Sequence, residues 1–141
     1  QYAAGGDKAL IDQLRGNNNY RTGYWQGYQG QDLEAVVDLG SIKQINRISM
    51  GFLQDIRSWV WYPTQVEFLI STDGMHFSQA GIVQNNFPDD KEGAYIQDLG
   101  ISVNKKARYI TAIAKNYGPC PEWHLGAGGR TWTFSDEIII N

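Results

Sequence analysis

Apolar and polar side chains alternate with a period of two in several short segments, each bounded by Gly, Pro, Asn or Asp. In the strand predicted at residues 45–53, for example, Ile48, Met50 and Phe52 fall on one face, and Arg47, Ser49 and Gly51 fall on the other. This alternation is typical of β-strands that bury one face and expose the other, and helical periodicity is nearly absent. The pattern therefore predicts an antiparallel all-β sandwich.

The predicted strands number about eight when weak ones are counted. The clear ones are 33–39, 45–53, 65–71, 77–83, 94–99, 108–114 and 132–140. Residues 71–74 read Ser-Thr-Asp-Gly, which predicts a hairpin turn between the third and fourth of these strands. Residues 8–14 could form one helical turn or a short strand, and the pattern leaves both open.

Two long connections, residues 54–64 and 115–131, separate predicted strands and carry three of the five tryptophans. Loops beyond about 12 residues within a compact domain are usually functional or disordered. The chain also has eight tyrosines, which together with the tryptophans exceed what one small core needs. We therefore expect some of these aromatic side chains to be exposed for recognition.

The composition narrows the class of protein. A chain of 141 residues that is 42% hydrophobic and 19% charged predicts one globular domain spanning residues 1–141. The net charge is -3 and the basic residues are scattered, which excludes a nucleic-acid footprint. The lone Cys120 excludes an intrachain disulfide framework.

No apolar run approaches the roughly 18 residues of a membrane span, and no signal-peptide pattern opens the chain. The chain begins at Gln1 rather than Met. We therefore expect it to be a segment excised from a larger protein.

Several blocks of sequence, taken in order, resemble the discoidin (coagulation factor 5/8 type C) family, also called carbohydrate-binding module family 32. These blocks are 9–12 (ALID), 21–25 (RTGYW), 33–40 (LEAVVDLG), 45–50 (INRISM), 66–77 (VEFLISTDGMHF) and 135–140 (SDEIII). The resemblance implies an eight-stranded antiparallel jelly-roll-like β-sandwich of the galactose-binding-domain kind.

Residues 121–124 (PEWH) and 126–129 (GAGG) further resemble the modules attached to bacterial family 20 β-hexosaminidases or chitobiases. This resemblance implies a non-catalytic, monomeric module that targets a parent glycoside hydrolase to glycans ending in galactose or N-acetylhexosamine. It also implies a partner in the catalytic domain of the same chain and a periplasmic, cell-surface or secreted location.

The resemblance implies a structural Ca²⁺ site that joins the two chain ends. Its side-chain oxygens would come from Asp12, Thr22 and Glu137, and its carbonyl oxygens from Ala9, Leu14 and Asp136. Such oxygen ligands suit a hard cation. Thr22 lies farther from Asp12 than in the family pattern, and Asn17 stands at the usual offset. The alternative is that Asp12 caps a turn and Glu137 is a solvated strand residue.

The two long connections supply a candidate carbohydrate site. A sugar presents an apolar C–H face and a ring of hydroxyls, so its site needs a flat aromatic surface with fixed donors and acceptors. The candidates are Arg57, Trp59, Trp61, Asn116, Tyr117, Glu122, Trp123 and His124. At least one of the three tryptophans is expected to contact the ligand, and the alternative for each is packing at the end of the sandwich.

Other aromatic and imidazole groups receive structural interpretations. Trp25 and Trp132 lie beside predicted strands and are expected to plug the core, and His76 is expected on the surface. A histidine such as His124 more often bonds a loop carbonyl than a ligand. Residues 126–129 predict a flexible turn, since no helix follows them to bind a phosphate.

Catalysis is not expected. Cys120 and His124 share a loop, but no third group that would orient the imidazole is evident. A glycosidase needs two carboxylates facing one bond. Asp55, Glu122 and Asp136 are available, and nothing selects a pair among them.

Two other functions remain open. The chain could be a protein- or membrane-surface interaction domain with Trp59 and Trp61 as apolar spikes, although Arg57 is the only basic residue in that loop. It could also be a structural spacer packed on its catalytic neighbour, in which case Trp59 and Trp123 would be buried.

Overall fold

The computed structural model describes residues 2–3 and 26–141, with side chains described for residues 28–135 and 138–141. Several predicted residues lie outside this description. They are Trp25, the cation ligands Ala9, Asp12, Leu14 and Thr22, and the side chains of Asp136 and Glu137. In the described part of the chain, no helix is long and apolar enough to cross a membrane.

Seven strands form one antiparallel sheet with the order β1-β2-β7-β3-β6-β4-β5. The strands are β1 (Tyr2–Ala3), β2 (Gln26–Gln29), β3 (Leu33–Asp55), β4 (Gln65–Ser71), β5 (Ser78–Gln84), β6 (Ala94–Ala114) and β7 (Trp132–Ile140). A short 3-10 helix, Ile56–Ser58, follows β3 directly.

The strand count differs from the prediction because two strands are long and bent. β3 joins the predicted strands 33–39 and 45–53, and β6 joins 94–99 and 108–114. The pairing of β3 with β6 shifts register between Asp38 and Lys43 and again between Ile45 and Arg47. Such bulges bend a strand and increase its twist, so both strands pass from one layer of the sandwich to the other.

The first half of β3 and the second half of β6 pair in one layer, which β4 and β5 complete. Their other halves pair in the second layer, which β7, β2 and β1 complete. The predicted all-β sandwich is therefore confirmed, with the two layers joined through continuous strands. β1 and β2 were not predicted, since two residues and the polar segment QGYQ show no apolar alternation.

The core lies between the layers and follows the predicted alternation. In β3, Ile48, Met50 and Phe52 have no exposed surface, and in β4 Val66 and Phe68 are equally buried. These side chains form one hydrophobic cluster with residues from both layers. Complete burial of a large apolar side chain contributes about 1.5–3 kcal/mol, so this alternation accounts for much of the driving force for folding.

Three connections meet at one end of the sandwich, and we call this the cleft end. They are residues 56–64 between β3 and β4, 85–93 between β5 and β6, and 115–131 between β6 and β7. The amide of Thr64 donates to the carbonyl of Lys115 at 3.0 Å, and the amide of Asn85 donates to the carbonyl of Thr64 at 3.1 Å. Backbone hydrogen bonds therefore hold the roots of the three connections together.

Candidate functional site

Trp59 has an unusual backbone conformation at the end of the 3-10 helix. Its φ is 65°, in the left-handed region that a bulky residue seldom adopts and that costs about 1–3 kcal/mol. Hydrogen bonds on both sides hold it there, since its amide donates to the Ile56 carbonyl at 3.1 Å and its carbonyl accepts from the Trp132 amide at 2.8 Å. Strain of this kind is a common feature of functional sites.

The Trp59 indole lies against the glycine-rich part of the 115–131 connection. A Cβ atom at Gly126 would overlap the six-membered ring, and one at Gly129 would lie 2.7 Å from it. Only glycines at these positions let the indole approach so closely. The sequence predicts only a flexible turn at residues 126–129, whereas these glycines also make room for the Trp59 ring.

Trp61 lies beneath the surface, in contrast to Trp59. It has no exposed surface, and its indole N–H donates to the carbonyl of Asp89 at 2.8 Å. Its ring stacks on that of Tyr117, with centroids 5.0 Å apart and planes inclined by 14°. Together with Ile56 and Cys120 it forms a second, smaller core, so Trp61 supports the site from below.

Tyr117 joins the 115–131 connection to the 85–93 connection. Its hydroxyl donates to Asp89 Oδ2 at 2.7 Å. Loss of solvation, followed by the hydrogen bond to Asp89 and its charge, raises the pKa of Tyr117 to about 12. The phenol therefore stays protonated and keeps donating at any pH at which the protein would be used.

Asn116 makes hydrogen bonds within its own loop and to Asp32. Its side-chain nitrogen donates to the Thr131 carbonyl at 3.1 Å, and its side-chain oxygen accepts from the Gly118 amide at 2.8 Å. Its backbone amide donates to Asp32 Oδ1 at 2.9 Å. These bonds brace the 115–131 connection, so both ends of the amide already have partners in the protein.

His124 bonds the backbone of two connections. Its Nε2 lies 2.6 Å from the Ile56 carbonyl, and its Nδ1 accepts from the Gly126 amide at 2.9 Å. These partners require a neutral ring with the proton on Nε2. The imidazole therefore fastens the 56–64 connection to the 115–131 connection, and it fills the space between the Trp59 and Trp61 rings, whose centroids lie 6.0 and 5.0 Å away.

A cleft of about 450 Å³ opens between these connections, within the volume range of small-molecule sites. Its lining consists of Ile56, Arg57, Trp59, Glu92, Trp123, His124 and Leu125. Trp123 is 54% exposed and Trp59 is 36% exposed, so both indoles are accessible at the cleft. We call this feature the aromatic cleft.

The structure brings together four of the predicted sugar-site residues, and these are Arg57, Trp59, Trp123 and His124. It places Trp61 and Tyr117 in the layer below and Asn116 in the loop brace. Glu122 is exposed next to Trp123 but does not line the aromatic cleft.

Sequence reasoning missed three residues of the cleft lining, Ile56, Glu92 and Leu125. Leu125 is fully exposed, and as a lone large apolar residue before a glycine-rich stretch it gave a signal that could have been used. Glu92 gave none, because residues 85–93 reach the cleft only through long-range contacts. Arg57 Nη2 lies 3.5 Å from Glu92 Oε2, which places one positive and one negative group on the rim.

Cys120 lies outside the cleft, in the small core under it. Burial raises the pKa of its thiol, which opposes formation of the thiolate that a nucleophile requires. Within the described residues, no group of three His, Cys, Asp or Glu side chains lies close enough to hold a metal ion.

Comparison with known families gives a match over most of the chain. Residues 1–132 match the model of the F5/8 type C domain. A search of curated proteins found no match.

Solved structures share the fold. The C-terminal domain of a chitobiase from Bacteroides fragilis has 18% sequence identity and a TM-score of 0.55, covering 95% of this chain and 78% of its own. The module CpGH89CBM32-5 from Clostridium perfringens, in complex with GalNAc-β-1,3-galactose, has 18% identity and a TM-score of 0.52, covering 99% and 88%.

The CBM32 of AlyQ, in complex with 4,5-unsaturated mannuronic acid, has 13% identity and a TM-score of 0.56, covering 100% of this chain and 89% of its own. These likenesses agree with the family match and with the resemblance found in the sequence. The chain belongs to the F5/8 type C domain family.

Proposed function

We propose that this chain is a non-catalytic glycan-binding module whose ligand site is the aromatic cleft. The observation that carries the proposal is the cleft itself, in which two accessible indoles, Trp59 and Trp123, lie beside the polar pair Arg57 and Glu92. An apolar surface next to fixed donors and acceptors is what an amphipathic sugar ring requires.

Each part of the cleft has a counterpart on a sugar. The indole faces can pack on the C–H face of the ring, and the Arg57 guanidinium can donate to adjacent hydroxyls. The Glu92 carboxylate can accept protons from hydroxyls. The strained backbone of Trp59 and the two hydrogen bonds of His124 hold the site in shape before a ligand arrives, which reduces the ordering cost of binding.

The ligands of similar structures support a carbohydrate. CpGH89CBM32-5 holds GalNAc-β-1,3-galactose, and a further neighbour, CpGH89CBM32-4, holds GlcNAc-α-1,4-galactose. We therefore propose terminal galactose or N-acetylhexosamine as the ligand of this module.

The chemistry of the cleft supports binding rather than hydrolysis. Glycosidases use two carboxyl groups about 5–9.5 Å apart across the scissile bond. Glu92 is the only carboxylate among the described residues that line the cleft, and it is paired with Arg57.

We further propose that the module belongs to a larger glycoside hydrolase of the β-hexosaminidase or chitobiase type, working in the periplasm, at the cell surface or outside the cell. Its likeness to a chitobiase C-terminal domain supports this. A monomeric module would hold the catalytic domain near its substrate and raise the effective concentration through weak contacts.

A structural Ca²⁺ near the chain ends is part of the proposal. Ala3 pairs with Gln26, which pairs with Ser135, so Ala3 lies two strand spacings, about 10 Å, from the residue that precedes Asp136. The other proposed ligands, Ala9, Asp12, Leu14 and Thr22, lie between Ala3 and Gln26 in the sequence. The melting temperature of the metal-free module, followed during a calcium titration, tests this proposal.

The proposed function is tested by calorimetric titration of the module with galactose, N-acetylgalactosamine and N-acetylglucosamine. At least one sugar should bind, and Trp123→Ala should weaken its binding about tenfold or more, since an aromatic anchor commonly contributes over 1.4 kcal/mol. Phe77→Ala is the matched control, because Phe77 is a partly exposed aromatic residue (38%) outside the cleft.

Absence of binding to all three sugars, or equal losses in Trp123→Ala and Phe77→Ala, would contradict the proposal. Co-sedimentation with lipid vesicles tests the alternative of a membrane-surface domain. Vesicle binding that depends on Trp123 and Leu125, without sugar binding, would favour that alternative.

A further inference from the structure

The aromatic cleft carries one cation and one carboxylate, and they face each other. Among the described residues that line it, Arg57 is the only cation and Glu92 the only anion. Their closest atoms are 3.5 Å apart, and the two side chains remain 76% and 67% exposed. A charged ligand that enters the cleft therefore meets both groups.

The backbone at Glu92 is anchored, which keeps its carboxylate on the rim. The hydroxyl of Tyr95 donates to the Glu92 carbonyl at 2.7 Å. Gly93 follows with φ of 106°, a conformation that other residues rarely adopt. The chain therefore turns sharply after Glu92 and presents this side chain opposite Arg57.

The neighbouring lysine does not neutralise Glu92. The Lys91 ammonium lies 5.5 Å from the centre of the Phe87 ring and 5.0 Å from that of Tyr95, over their faces. The three connections around the cleft carry four carboxylates and four cations, which are Asp89, Asp90, Glu92 and Glu122 and Arg57, Lys91, Lys115 and Arg130. Their formal charges cancel, so a charged ligand is selected by the two charged groups of the cleft lining, Glu92 and Arg57, rather than by a net field.

From this arrangement we propose that Glu92 is a specificity-determining residue that excludes anionic glycans and restricts the cleft to neutral sugars. The inference rests on the proposed glycan-binding function and adds the charge class of the ligand. Glu92 acts in two ways, since it occupies the Arg57 guanidinium, which could otherwise bind a carboxylate or sulfate, and it repels such a group directly. Unfavourable placement of like charges is a usual source of specificity.

The test uses two sugars that differ only at C6, methyl β-galactoside with a neutral hydroxymethyl group and methyl β-galacturonide with a carboxylate. Calorimetry should show that the module binds the neutral galactoside about tenfold more tightly than the galacturonide. Glu92→Gln keeps the shape of the side chain and removes its charge. In this variant the difference in affinity between the two sugars should shrink to about threefold or less. Galacturonide binding should also weaken at high salt, because it now depends on the charge of Arg57.

Two further variants isolate the pair. Asp90→Asn removes the same charge from the same connection without touching the cleft lining, so it should retain most of the discrimination. The double variant Arg57→Gln/Glu92→Gln lacks the guanidinium and should bind galacturonide no better than the unmodified module does. The melting temperatures of all variants, whose changed residues are exposed, verify folding.

The outcomes separate the two proposals. If the module binds both sugars equally, or if Glu92→Gln still rejects galacturonide while binding galactoside, the charge-exclusion proposal is wrong and glycan binding stands. If Asp90→Asn relaxes discrimination as much as Glu92→Gln does, the general field rather than the Arg57 pair is responsible, and the proposal is again wrong. If no variant binds either galactoside or galacturonide, and the hexosamines fail as well, glycan binding itself is refuted.

Discussion

The two ends of the sandwich are built from the same two strands, β3 and β6, yet they differ in how those strands are continued. At the cleft end both strands stop, and three separate connections pack around the buried Trp61. At the opposite end the strands bend through bulges near residues 38–47 and continue into the other layer. Connections with a small core of their own can form a concave site, whereas a bend within a paired strand leaves no chain to build one.

The ends also differ in charge. The connections at the cleft end balance four carboxylates, Asp89, Asp90, Glu92 and Glu122, against four cations, Arg57, Lys91, Lys115 and Arg130. The opposite end carries Lys43, Lys105 and Lys106, all exposed, and an Asp38–Arg108 ion pair with a 2.8 Å contact. The net charge of the chain conceals this division, so the charge around a site has to be read from the fold.

The largest expected effect is on stability and arises under the cleft. Trp61→Ala removes a fully buried ring together with its hydrogen bond to Asp89, and such changes cost about 3–5 kcal/mol. We expect a fall in melting temperature of about 10 °C or more, measured by circular dichroism. Trp123→Ala is the comparison, because its ring is mostly exposed and should affect sugar affinity far more than stability. Similar melting temperatures in both variants would show that the small core does not hold the cleft end together.

A smaller effect is expected from the glycines that receive Trp59. In Gly126→Ala the new methyl group overlaps the indole and displaces it, so we expect about a tenfold loss of affinity for the bound sugar in calorimetric titration. Gly128→Ala is the control in the same loop. At Gly128 the added methyl group meets open space, so sugar affinity should not change. The φ of 83° is strained for alanine, which should cost about 1–2 kcal/mol of stability. The reverse pattern would mean that Trp59 takes no part in the site.

The smallest effect is expected at the opposite end. Hydrogen bonds from Arg108, and then from the Gly40 amide, lower the pKa of Asp38 to about 2. A depressed pKa in the folded state stabilises the protein above the ordinary pKa, and this stabilisation is lost as pH falls from about 4 to about 2. Because the pair is exposed, Arg108→Gln should reduce that loss only slightly in acid-unfolding curves.

Asp73 will contribute to acid unfolding in both proteins, since hydrogen bonds from the backbone and side chain of His76 also lower its pKa. Sugar affinity at neutral pH should not change in Arg108→Gln. A loss of affinity there would show that the two ends of the sandwich are coupled through β3 and β6.

The fold was predictable in outline because burial in a strand leaves a local mark. The alternation placed Ile48, Met50 and Phe52 on the core face and gave the bounds of β4 and β7, and the structure agrees. It could not show that β3 and β6 each continue through a bend. A bulge interrupts the period of two, so a bent strand and two separate strands have the same pattern.

The candidate site was predictable at the level of connections. Arg57, Trp59, Trp123 and His124 meet as the concentration of aromatic residues in two long loops suggested. The same reasoning could not distinguish Trp59 from Trp61, which lie two residues apart in the sequence. In the structure the Trp59 ring is accessible and the Trp61 ring is fully buried. That separation depends on the left-handed turn at Trp59 and on Tyr117 and Asp89, which come from other connections.

By itself, therefore, the sequence determined the all-β class, the core faces of the strands and the two aromatic-rich connections that line the aromatic cleft, because period, composition and loop length are local properties. Only the tertiary structure decided which tryptophans are accessible and that Glu92 faces Arg57. These outcomes depend on contacts between connections far apart in the chain, and no local pattern records them.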